Sequence, residues 1–171
     1  MQNRVHTSVG AFKPVSTRIE KEADKFASAM LIPGETLDGM KGMRDYLTLG
    51  EIIELSRICS SSAQAAAFRY IRSTEEPCVA VVCNADRVEY AFASDEAAAR
   101  GFQSLGNPFV PEKSAALRCL KANPGEIIEG PSHTSYWFSE RKYGSALWEE
   151  SVRLGAKLFT LTMLSWPEYK G

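Results

Sequence analysis

"CVAVVCNADRVEYAFAS", residues 78–94, decides the fold of this chain. The run "CVAVVC" is short, apolar and rich in β-branched residues, which reads as a buried strand. "NAD" follows as a turn, and "RVEYAFAS" alternates as a partner strand, so the stretch predicts an antiparallel hairpin. Cys78 and Cys83 are an odd number of residues apart, which puts them on opposite faces of that strand, where they cannot bond to each other.

Downstream of the hairpin, "SDEAAARGF" and "KSAALRCL" read as short helices. "GEIIEG", "HTSYWFS", "ALWEESVRL" and "KLFTLTMLSW" are strand-like, with "GA" as the turn between the last two. Residues 76–171 therefore read as an α+β unit on an antiparallel sheet. Upstream, "LTLGEIIELSRIC" and "AQAAAFRYIRS" are helical patterns joined by "SSS", which can end the first helix and cap the second. That outline is a helix-turn-helix. A DNA-binding use conflicts with its composition: the second helix presents only Gln64, Arg69 and Arg72 as polar contacts, too little for phosphate neutralisation. A connector packed on its neighbours is the preferred reading, over residues 46–75. The polar stretch "GETLDGMKGMRD" is given no regular structure.

The bulk properties fit a soluble globular domain. The chain has 171 residues, 44% of them hydrophobic, enough to fill a core. A net charge of −1 argues against a broadly basic nucleic-acid surface, and nucleic acid is not an expected partner. No apolar run approaches a membrane span and the first ten residues lack a signal-peptide core, so a cytoplasmic protein is expected. Four cysteines without a C-x-x-C pair read as buried free thiols.

Residues 19–33, "IEKEADKFASAMLIP", carry the chemical signal. Ile19, Ala23, Phe26, Ala27, Met30 and Leu31 make the apolar face of a helix ended by Pro33 and Gly34. At about 100° per residue, Glu20 and Asp24 lie together at one border of that face and Glu22 at the other. Like charges one turn apart repel by a few tenths of a kcal/mol. E-x-x-x-D is common on solvated faces, yet it is also how a helix can give a metal one carboxylate and orient a ligating imidazole with the next. The rest of the catalytic inventory is negative. His6 and His133 are the only histidines, so no H-E-x-x-H exists, and no phosphate loop or nucleophile elbow is present. His133 reads as structural. Tyr90, Phe92, Tyr136, Trp137 and Trp148 could line a pocket, with core packing the better reading for most.

The string resembles the segment after the H-E-x-x-H helix in the ImmA/IrrE family of bacterial metallopeptidases, roughly E-x-E-A-N/D-x-F-A-x-x-L-L-x-P. Glu20, Glu22, Ala23, Asp24, Phe26, Ala27, Leu31 and Pro33 match, with Met30 in place of the first Leu. The order beyond it, a helix-turn-helix-like connector and a GAF-like sensor module ending in "FTLTMLSWPE", is similar to the longer members. The resemblance implies a zincin-like peptidase remnant over 1–45, the connector over 46–75 and the GAF-like module over 76–171. It implies a zinc endopeptidase that cleaves a repressor-like transcription regulator in a stress response. Glu20 would be the third zinc ligand, Glu22 the runner-up, and Asp24 the partner of a ligating imidazole. The H-E-x-x-H segment belongs upstream and is missing here, so the expectation is a truncated metallopeptidase, in preference to a pseudo-enzyme. His6 could be a remnant of a histidine trailing that motif. One carboxylate cannot hold zinc against water, so no bound zinc and no peptidase activity are expected of this chain alone. The sensor would receive a small-molecule signal, and a homodimer is one way to bury the apolar face of Phe26 and Met30. The competing reading is a non-enzymatic, ligand-sensing or DNA-associated binding protein.

Overall fold

The computed structural model describes residues 32–41, 46–102, 104–139, 145–155 and 157–166. Three helices come first: α1 (Gly34–Lys41), α2 (Leu49–Ile58) and α3 (Ala63–Ile71). Then follow β1 (Cys78–Asn84), β2 (Arg87–Ala93), α4 (Asp95–Ala99), α5 (Ala115–Cys119), β3 (Ile127–His133), α6 (Thr134–Trp137), β4 (Ala146–Arg153) and β5 (Phe159–Ser165). The strands form one antiparallel sheet in the order β2-β1-β5-β4-β3. The α+β class expected from the sequence is what the chain adopts.

Side-chain alternation on β1 explains why its sequence is apolar throughout. Cys78, Ala80 and Val82 join one buried cluster, with Leu161 and Met163 of β5 and residues of α1, α2 and α3. Val79, Val81 and Cys83 join the other, with Phe102, Trp137, Leu164 and Trp166. Helices thus cover one face of the sheet, and the segment between β2 and β4 covers the other. The two cysteines stand on opposite faces, as their spacing requires. The hairpin closes through Ala85 and Asp86, and Ala85 takes the left-handed φ of 53° that so short a turn needs.

Local chemistry sets the helix starts. Thr48 caps α2 in a reciprocal capping box with Glu51, and Ser62 caps α3. Ser94 Oγ accepts from Ala97 N–H of α4 and from Cys78 N–H, tying that helix to the start of β1.

Two elements differ from the sequence reading. Residues 34–41, which the sequence leaves without a regular pattern, form α1. Glu35 in its first turn and Lys41 in its last suit the helix dipole, and the helix buries Leu37. "HTSYWFS" does not continue a strand. His133 ends β3, and its Nδ1 accepts the Ser135 N–H, so the chain turns into α6. The mutual bonds of Thr134 and Ser145 then pin that turn.

Candidate functional site

Glu20, Glu22 and Asp24, with His6, Phe26 and Met30, lie outside the described residues, so the fold places none of the expected metal ligands. The string is described only at its end. Ile32 is fully buried in the helical cluster, and its carbonyl accepts from Arg69 Nε at 3.2 Å. Among the described residues no group of three or more His, Cys, Asp or Glu is placed to hold a metal. His133 uses Nδ1 on Ser135 (Oγ at 2.8 Å) as a helix cap. The fit of Glu20, Glu22 and Asp24 to a zinc centre rests on their residue string.

Of the polar residues on α3, Gln64 Oε1 accepts from the Tyr90 hydroxyl and Arg69 serves Ile32, which leaves Arg72 at the exposed C-cap. α3 packs on β1 and β2.

A small cleft opens at one end of the sheet on the helical face, with room for about one water-sized occupant (about 20 Å³). Tyr46, Tyr70, Glu76, Cys78, Glu150 and Trp166 line it. The Tyr70 hydroxyl accepts from Leu47 N–H at 3.1 Å. Burial pushes the Tyr70 phenol up to about 12, with a smaller push from neighbouring Cys78. Burial likewise pushes the Cys78 thiol up to about 12, against the opposing hydrogen bond of Ser94. Both groups stay neutral at physiological pH. A thiol held protonated is a poor nucleophile, so the cleft is built for hydrogen bonding and shape.

The most constrained polar group lies on the other face. Glu149, 1% exposed in the middle of β4, accepts from Ala115 N–H at the start of α5 and from Trp137 Nε1, both at 2.5 Å. Neighbouring Glu150 points to the helical face and accepts from Leu49 N–H of α2 at 3.3 Å. Two buried acids within an apolar strand need such donors. "ALWEESVRL" carried that signal, since a strand with both faces buried has no solvent for Glu149 or Glu150, and the sequence reading passed over it. Of the aromatics it singled out, Trp137 is core and Phe92 packs against the core, whereas Tyr90 and Tyr136 remain exposed.

No protein-family profile matches this chain, and no curated protein matches it. Also, no helix among the described residues is long and apolar enough to cross a membrane.

Proposed function

We propose that this chain is the C-terminal part of an ImmA/IrrE-like regulatory zinc metallo-endopeptidase that cleaves a repressor-like transcription regulator. The single observation that carries the reading is the string "IEKEADKFASAMLIP", with Glu20 as third zinc ligand, Glu22 as runner-up and Asp24 beside a ligating imidazole. What supports it further is the succession of a packed helical connector and an antiparallel five-stranded sheet covered on both faces, as a GAF-like sensor requires. With only His6 and His133, the chain offers no H-E-x-x-H, and alone it has no peptidase activity. The sensor module gates the peptidase in response to a small-molecule signal. The test is zinc content. Protein extended by its upstream coding sequence should hold one zinc per chain and lose it in Glu20→Gln, while Glu22→Gln keeps it. Retention of zinc by Glu20→Gln and by Glu22→Gln alike would overturn the assignment.

A further inference from the structure

The two edges of the sheet are protected unequally. β3 carries an exposed Pro131, and Arg118 reaches over it to the Glu129 carbonyl and against Gly130. Proline and a basic side chain are ordinary guards of a strand edge. β2 is guarded over only half its length. Val88 N–H donates to the Pro108 carbonyl, Val110 N–H to the Asp86 carbonyl, and Arg87 bridges Phe109. From Glu89 to Ala93 nothing among the described residues pairs with the outer edge, and the stretch holds neither Pro nor Lys.

The alternation of the ladder fixes which groups are free. Ser94 N–H bonds Cys78, so the partners Phe92 (of Ala80) and Tyr90 (of Val82) also aim their backbone at β1. Ala91 and Ala93 aim theirs outward, as Val88 does beyond the register shift at Val82 and Cys83. The side chains of Tyr90 and Phe92 share the α3 face, stacked on each other with centroids 6.3 Å apart, and Phe68 of α3 meets Phe92 edge-on at 5.3 Å. Tyr90 is 42% exposed despite that packing.

We infer that residues 89–93 of β2 are the interface for a second copy of this chain, added antiparallel about a two-fold axis through Ala91. The stretch is complementary to itself in that register. Ala91 exchanges both N–H···O bonds with Ala91 of the second copy, and Tyr90 stands opposite Phe92 in two symmetry-related aromatic pairs. Glu89 falls opposite Ala93, so no like charges meet. The sheet becomes continuous across the dimer, with α3 of each copy on the same face. This surface is separate from the cleft and does not depend on the metallopeptidase reading.

Sedimentation of the full chain tests it, over a concentration series reaching about 100 μM. The expected species has twice the 18.9 kDa chain mass. Ala91→Pro removes an N–H that serves no bond among the described residues, so it should keep the native far-UV spectrum and sediment as a monomer. Tyr90→Lys removes both aromatic pairs and should weaken dimerisation about tenfold or more without unfolding. A wild-type chain that stays monomeric throughout the series overturns the inference. A dimer that survives Tyr90→Lys unweakened overturns it too, whatever becomes of Ala91→Pro.

Discussion

Glu149 and Glu150 are consecutive on β4, yet they hold helices on opposite faces of the sheet. Glu149 takes the first N–H of α5 and the indole of Trp137, and Glu150 takes the first N–H of α2. Each carboxylate sits where a helix dipole favours negative charge. One strand thereby sets the position of both layers.

Replacing Glu149 should cost more than replacing Glu150. Glu149→Gln keeps one acceptor but turns an amide N–H₂ toward a donor, leaving a buried group unsatisfied at about 1–3 kcal/mol. Glu150→Gln, whose bond to Leu49 is longer at 3.3 Å, should cost less. Urea unfolding of the two variants checks the order, and loss of near-UV Trp137 signal should accompany the first.

The loop that crosses the sheet face depends on a glycine. A Cβ at Gly106 would come 2.6 Å from Ser139 N and 2.9 Å from the Phe138 carbonyl carbon, both backbone atoms. Gly106→Ala should therefore lose about 1–3 kcal/mol by overpacking. A fall in the thermal midpoint measures it.

The helix pair has its own test at Thr48. Removing the capping-box hydroxyl in Thr48→Ala should destabilise the chain by about 0.5–2 kcal/mol, and Thr48→Ser should restore most of it.

Alkaline stability follows from the buried thiols. Burial lifts Cys78 and Cys83 from 9.0 to about 12, and Tyr70 from 10.0 to about 12. A raised folded value means that the unfolded chain loses these protons first. The stabilisation is complete below pH 9 for the thiols and below pH 10 for Tyr70, and it is lost as pH rises from there toward 12, at up to about 1.4 kcal/mol per pH unit for each group. Chemical denaturation at pH 8, 9.5 and 10.5 should show the decline, and Cys78→Ala with Cys83→Ala should flatten it. Thiol reagents at pH 8 should modify the half-buried Cys59 ahead of both.

The hairpin, α2, α3 with its serine cap, α4, α5 and the strands β3 to β5 were legible because alternation and capping are written within a few residues. α1 was missed because its two glycines and polar face mask a helix held by Leu37 and by charges at its ends. α6 was missed because Tyr136 and Trp137 suggest a strand, while the turn is decided by His133 and by Ser145, eleven residues beyond Thr134. The cleft could not be read at all. Tyr46, Tyr70, Glu76, Glu150 and Trp166 come from separate segments that meet only after the sheet assembles. Glu20, Glu22 and Asp24 stand on their residue string alone.

The most direct measurement is the coding sequence immediately upstream of Met1. The account predicts an in-frame H-E-x-x-H preceded by apolar helix residues, making Glu20 the third ligand of a zinc peptidase. A stop codon or unrelated sequence there would contradict it and leave a zinc-free sensor protein in its place.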